Sequence, residues 1–373
     1  MKTIIENAEH VETKFNTLFN EEHPLQLESG EKLSPVTVAY ETYGTLNKEG
    51  TNAILICHAL TANAHAAGFN SPDDEAPGWW DGLVGEQRAF DTEKYFVVCP
   101  NILGSCYGTT GPSSINPRTD EPYRLTFPQF TIRDIVAVQK KLLDKLGVKR
   151  LATACGSSLG GMQVLEWAIM YPDFCETVIP ISTAAKQSAW CIGLNTAARA
   201  AIMSDPVWND GNYAEQPMNG LSVARMVGML SYRSAEELEK RFGRRRQNPD
   251  NDPFASDNSF EVESYLHHQG QKLGKRFDAN TYIYLSRATD SHDVTRARAP
   301  LPEVLGGVKA RMLCIGISSD IRYPGKEQKE IVHFCPKARY AEINSIHGHD
   351  AFLIEFSKLN AIIKEFLTRK SRS

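Results

Sequence analysis

The stretch ATACGSSLGGMQVLEW, residues 152–167, sets two adjacent serines among glycines. Small, β-prone residues lead in and a helix-like run leads out. A serine in the pattern G-x-S-x-G occupies a tight strand-to-helix turn, where any side chain in place of the flanking glycines would collide with crowded backbone. The turn lifts the hydroxyl above a sheet and points the first free N–H groups of the helix at the reacting centre. Gly156-Ser157-Ser158-Leu159-Gly160 centres the pattern on Ser158. Centring it on Ser157 would require glycines where Cys155 and Leu159 stand. Ser158 is therefore the candidate nucleophile, and the backbone N–H of Leu159 a candidate oxyanion donor.

Outward from this turn the chain alternates. Residues 52–60, NAILICHAL, and 94–104, KYFVVCPNILG, contain continuous apolar runs, as strands buried on both faces do. Residues 24–44 read as an antiparallel opening with a turn at Ser29-Gly30. In residues 131–147, Ile132, Ile135, Val136, Leu142, Leu143 and Leu146 recur at helical steps, with Thr131 to cap the start and Gly147 the end. Then follow a strand (149–155), a helix (160–171, ended by Pro172) and a strand (176–183). Such alternation implies parallel strands joined by crossover helices. After residue 184 the pattern becomes helical, polar and loop-broken, and alternation resumes with 310–318, 338–345 and an amphipathic helix at 352–368. The expected architecture is an α/β fold: a mostly parallel central sheet flanked by helices, built from residues 1–183 and 301–373, with an inserted helical cap at 184–300.

Composition narrows the function. The 373 residues are 42% hydrophobic and 23% charged, ordinary for a globular protein. A net charge of −4 leaves no electrostatic footprint for nucleic acid or an anionic membrane. The opening residues, Met1–Asn7, have no apolar core of signal-peptide length, and no run approaches the roughly 20 apolar residues of a membrane span. Eight cysteines without a C-x-x-C pair read as buried free thiols in a reducing, cytoplasmic setting. His58 and His65 lack the partners of a metal site, so no metal is expected.

A serine hydroxyl needs a histidine base, and the base a carboxylate to orient it. In this kind of fold both arrive later in the chain, acid first. Asp320 follows the strand in CIGISSDIRYP (314–324); His347 and His349 lie between a strand and a helix in INSIHGHDAFL (343–353). Position alone leaves the two histidines open.

Several long segments, in order, resemble the homoserine O-acyltransferases of the α/β-hydrolase superfamily: CHALTANAHAAG (57–68), NILGSCYGTTGPSSINP (101–117), FPQFTIRDIV (127–136), CGSSLGGMQVLEWA (155–168) and GHDAFLIE (348–355). The likeness runs over roughly residues 15–368. It implies an α/β-hydrolase fold and an acyl-enzyme on Ser158, with Asp320 and His349 completing a triad and His347 left to the loop. It also implies a first oxyanion donor at the Leu60 backbone, with His58 structural. For the acceptor, a zwitterion, it implies Arg225 against the carboxylate, Tyr232 nearby and Asp350 against the ammonium. Acyl-CoA would be a co-substrate, with no permanently bound cofactor, in a methionine-biosynthetic homodimer formed through the cap. The chain departs from the usual family pattern at Ser157, Leu159, Ala62-Asn63, Met229 and Arg322. Acetyl-CoA and L-homoserine are the pair the resemblance favours, with a succinyl donor or a serine acceptor as alternatives. Basic Arg244-Arg245-Arg246 reads as a solvated loop rather than a CoA phosphate site. The rival functions are an esterase or thioesterase with water as acceptor, and a non-catalytic binding protein on the same scaffold.

Overall fold

Eight strands form one sheet in the computed structural model, which describes residues 10–250, 252 and 258–369. Met1–Asn7, part of the 243–254 loop and the outer ends of the two core ranges lie outside the described residues. The strands are β1 (Lys14–Leu18), β2 (Val36–Tyr43), β3 (Ala53–Cys57), β4 (Phe96–Pro100), β5 (Leu151–Ser157), β6 (Cys175–Ile181), β7 (Arg311–Ile317) and β8 (Ala338–Ile343). Their spatial order is β1-β2-β4-β3-β5-β6-β7-β8. Only β2 runs against the others. The expected turn near Ser29-Gly30 joins a short antiparallel pair, Leu25–Gln26 with Lys32–Leu33, and Gly30 takes φ +87° there.

The continuous apolar runs are explained by burial on both faces. In β3, Ala53, Leu55 and Cys57 enter a layer with Val136, Val164, Leu165, Trp167 and Ile331. Ile54 and Ile56 enter the opposite layer, with Leu359, Ile363 and Phe366. These layers are supplied by α1 (Ile132–Lys145), α2 (Leu159–Met170) and other crossover helices on one side, and by the C-terminal helix Phe356–Thr368 on the other. Side chains alternate across a strand, so a strand covered on both sides must be apolar at every position. Thr131 precedes α1, and its backbone N–H donates to Asp134 Oδ2 at 2.8 Å.

Between β6 and β7 the chain is helical: α3 (Ala189–Met203), α4 (Met218–Tyr232), α5 (Ala235–Arg241), α6 (Glu261–Gly274), α7 (Ala279–Asp290) and α8 (Leu301–Gly306). Helices α3 and α4 pack on each other, α4 packs on α6, and α3 on α7. The C-terminal helix begins four residues later than its periodicity implies. Residues Gly348–Leu353 instead form a tight 3-10 turn that buries His349, Ala351 and Phe352, and the backbone leaves helical geometry at Glu355 (ψ 47°). No helix among the described residues is long and apolar enough to cross a membrane. All eight cysteines are free; seven are buried and Cys106 is partly exposed.

Candidate active site

Ser158 stands between β5 and α2 with φ 56° and ψ −123°, a strained conformation for a residue with a side chain. Its N–H donates to the Ile181 carbonyl at 3.0 Å, and its own carbonyl accepts from Thr183 Oγ1 at 3.0 Å. The bend presses the glycines against β3. A Cβ on Gly156 would lie 2.6 Å from the Cys57 carbonyl oxygen, and one on Gly160 would be closer still. Leu159 opens α2, where a first-turn N–H has no intrahelical acceptor.

Asp320 follows β7 in a turn closed by its own side chain. Oδ1 accepts from the backbone N–H groups of Arg322 at 2.8 Å and Tyr323 at 2.9 Å. Oδ2 lies 2.7 Å from Nδ1 of His349, and both side chains are buried. The His349 ring is bounded by Tyr323 and Phe352, each with centroids 5.3 Å away, and by Tyr232 at 5.9 Å. His347 faces elsewhere: its Nδ1 is 3.3 Å from Glu237 Oε1.

A cavity of about 340 Å³ is lined by Ser158, His349, Asp350, Arg225, Tyr232 and the Ala59–Asn63 loop. Asp320 stands behind His349. The Leu60 N–H has no hydrogen-bond partner among the described residues and belongs to this lining. His58, at the base of that loop, is buried. Its Nδ1 is 2.8 Å from the Ala59 carbonyl, and Nε2 accepts from the Ile102 N–H at 3.1 Å. Burial pushes its pKa down to about 4, which suits a neutral structural imidazole.

Arg225 reaches the cavity from α4, with its guanidinium carbon 5.4 Å from the Tyr232 ring centre. Asp350 directly follows His349; its Oδ2 lies 3.3 Å from Nε of Arg233. Burial raises the Asp350 pKa, against the lowering pull of Arg233 and Arg225. The cavity thus offers a cation and an anion beside a hydroxyl and an imidazole. The Arg244–Arg246 run is turned to its own neighbours: Arg245 pairs with Glu261 at 2.8 Å, and Arg246 lies over the Phe260 ring.

Some lining residues carried no signal in the sequence. His65 lies on the wall with Nδ1 2.9 Å from the buried Glu41 carboxylate. Arg276, just past α6, donates from Nη1 to the Thr61 carbonyl at 2.8 Å and to Tyr107 Oη at 2.6 Å. Trp79 donates its indole N–H to the Asn63 carbonyl at 3.0 Å. Each comes from a segment distant from the serine turn, and only the folded chain assembles them. Among the described residues no group of three or more His, Cys, Asp or Glu side chains is arranged to hold a metal ion.

Comparison with known proteins agrees with this arrangement of elements. Residues 52–353 match the alpha/beta hydrolase fold family. A homoserine O-acetyltransferase of Carboxydothermus hydrogenoformans is 52% identical over 350 residues, 92% of each chain. Among solved structures, homoserine O-acetyltransferase from Bacillus anthracis superposes with a TM-score of 0.90 at 34% identity, covering 98% of this chain and 100% of that one. The esterase E22 superposes with a TM-score of 0.87 at 29% identity, covering 96% and 100%. A strand order with one reversed strand, a serine at the β5 bend and identity above one half over nearly the whole length lead to one assignment: the chain belongs to the homoserine O-acetyltransferase family of the α/β-hydrolase superfamily.

Proposed function

We propose that the chain transfers an acetyl group from acetyl-CoA to the side-chain hydroxyl of L-homoserine through an acyl-enzyme on Ser158. The observation that carries this reading is the joint lining of one cavity by Ser158, His349, Arg225 and Asp350, with Asp320 behind the imidazole at 2.7 Å. His349 takes the Ser158 proton as the oxygen attacks the thioester carbonyl. The oxyanion rests on the N–H groups of Leu60 and Leu159, each donor contributing about 3–4 kcal/mol in sites of this kind. The thiolate of CoA leaves with the proton held by the imidazole. Homoserine then enters with its carboxylate toward Arg225 and its ammonium toward Asp350, while Tyr232 walls the pocket. His349 removes the proton from the acceptor hydroxyl, which attacks the acyl-serine; as the bond to the Ser158 oxygen breaks, His349 returns that proton to it, releasing O-acetyl-homoserine, a step of methionine biosynthesis.

Transfer must outrun hydrolysis. Holding the acceptor in attack geometry supports this, since effective molarities can reach about 10⁵ M or more. We assign that task to the helical segment 184–300 as a cap on the 1–183 and 301–373 core. Trp190, Ile192 and Met203 on α3 and Val223 and Leu230 on α4 are exposed. That apolar surface supports a homodimer formed through the cap. A cytoplasmic setting accords with the eight free thiols.

The test is thiol release from acetyl- and succinyl-CoA, each with L-homoserine, L-serine or no acceptor. Release from acetyl-CoA that depends on L-homoserine supports the proposal. Equal release without an amino acid supports the esterase reading, which the likeness to esterase E22 keeps in view. A preference for succinyl-CoA or L-serine would reassign donor or acceptor and leave the acyl-enzyme in place.

A further inference from the structure

Arg322 is 6% exposed, yet no carboxylate comes within ion-pair reach of its guanidinium among the described residues. Its donors meet neutral oxygens: Nη1 to Ser231 Oγ on α4 at 3.1 Å, and Nη2 to Asn195 Oδ1 on α3 at 2.7 Å. Asp320 is two residues away, but its carboxylate is taken by backbone N–H groups and by His349. An arginine side chain stays protonated inside proteins, and a buried charge answered only by neutral dipoles is costly. The guanidinium carbon of Arg322 lies 5.4 Å from the Tyr232 ring centre, the same separation as that of Arg225. Two guanidinium groups therefore converge on one aromatic wall of the cavity, one lining it and one behind it. Among the described residues the single lining carboxylate is Asp350, 3.3 Å from Nε of Arg233, which also pairs with Glu237 at 2.9 Å. In the lining itself two guanidinium groups, Arg225 and Arg276, face one carboxylate, as in a site that awaits a small anion.

We propose that Arg322 is a second cation of the acceptor site, a positioning residue that favours the acceptor's carboxylate through its buried charge and through Tyr232, without touching it. This rests on the acceptor reading given above. A plainer role is also visible, since Arg322 ties α3 and α4 to the turn that carries Asp320. A tie of that kind would serve both halves of the reaction equally. An electrostatic role serves only the half in which a carboxylate is bound.

The two roles are separated by Arg322→Met, which keeps the backbone N–H to Asp320. The burst of thiol from acetyl-CoA without acceptor reads the first half-reaction; steady-state KM for L-homoserine reads the second. The burst rate is expected within about twofold of wild type, and KM is expected to rise roughly ten- to thirtyfold with kcat little changed, the scale of one charge acting across several ångströms of protein. With homoserine amide, which lacks the carboxylate charge, the penalty should shrink to about twofold. Arg322→Lys should restore most of the lost affinity. Equal losses in both half-reactions, or the same penalty with the amide, overturn the proposal. If Arg322→Met does not fold, Arg322→Gln, which removes the charge but keeps hydrogen-bond donors, decides: an unchanged burst with a raised KM for L-homoserine supports it, and equal losses in both half-reactions overturn it. Absence of a burst in the wild type would defeat the acyl-enzyme reading instead, and the KM comparison between homoserine and its amide would still decide the role of Arg322.

Discussion

Asp320 and His349 meet as a buried pair, Oδ2 to Nδ1 at 2.7 Å, from positions 29 residues apart. The other carboxylate oxygen is held by two backbone N–H groups, so only one oxygen is left for the ring, in a fixed direction. An asparagine amide in its place could keep those two hydrogen bonds and turn its NH₂ toward Nδ1, stabilising the wrong imidazole tautomer. Asp320→Asn should then lower kcat by about 10³–10⁴ with the fold retained. Homoserine-dependent thiol release and the urea midpoint check both halves of that statement. Loss of activity together with a large fall in midpoint would mean that Asp320 matters chiefly for stability.

The serine bend makes a prediction about stability alone. Gly156 has the Cys57 carbonyl 2.6 Å from where a Cβ would sit, and backbone cannot swing aside as a side chain can. Gly156→Ala should cost roughly 1–3 kcal/mol, the range of overpacking in a rigid core. Gly193, exposed on α3, meets nothing within 4 Å. There the same substitution should stabilise by about 0.5–1 kcal/mol, because alanine loses less backbone entropy in a helix. Urea unfolding of the two variants should move in opposite directions.

Acid sensitivity follows from two buried imidazoles outside the proposed chemistry. Burial pushes the pKa of His58 and of His292 down to about 4. Unfolded, each titrates near 6.5. Between these values the unfolded chain binds more protons, so stability falls as pH drops from about 6.5 to about 4, by about 1.4 kcal/mol per pH unit for each histidine. His65 acts oppositely. Burial disfavours its charge, but Glu41 outweighs burial and raises the pKa, so its contribution is full in acid and fades as pH rises through the folded value. His292 has Nε2 3.1 Å from the Ala184 carbonyl, a contact a glutamine amide can reproduce. Between pH 6.5 and 4.5, stability of His292→Gln should decline less steeply than wild type by one proton's worth of slope. An unchanged slope would mean that His292 is not neutral in the fold.

What could be read from the sequence was local or ordered along the chain. The bend at Ser158 announced itself through glycines at fixed offsets, and the two-faced sheet through uninterrupted runs such as Ala53–Cys57. The carboxylate and imidazole were placed by chain order, but choosing His349 over His347 needed the family resemblance. The fold supplies a physical distinction: Glu237 faces one ring and Asp320 the other. Arg225 would have passed for a solvated helix charge, because nothing local says which face of α4 meets the cavity. Arg322 stood out only as a polar residue in an unusual place. Its burial depends on Asn195 and Ser231, roughly a hundred residues away or more, and no periodicity encodes such a meeting. The delayed start of the last helix has a similar cause, since a tight turn holding His349 overrides an amphipathic pattern that runs straight through it.

Arg276 offers the last test, because it joins the helical segment 184–300 to the loop that carries Leu60. Its Nη1 holds the Thr61 carbonyl, one residue beyond the proposed oxyanion donor, and Tyr107 Oη braces the same nitrogen. On the other side of the cavity, Ser234 donates to the Ile346 carbonyl, and Gly348 lies against the backbone from Tyr232 to Ser234. Donor loop and histidine loop are thus both secured to the same helical segment, so a shift of that segment would disturb both. Arg276→Met keeps the apolar stem and removes the tie. Full removal of an oxyanion donor costs about 10²–10³ in kcat, so loosening one should cost about tenfold in kcat/KM for acetyl-CoA. Tyr107→Phe removes only the brace and should cost less than about fivefold, the worth of one ordinary hydrogen bond. If Arg276→Met turns over like wild type while Tyr107→Phe does not, Leu60 is held by something other than this helical segment.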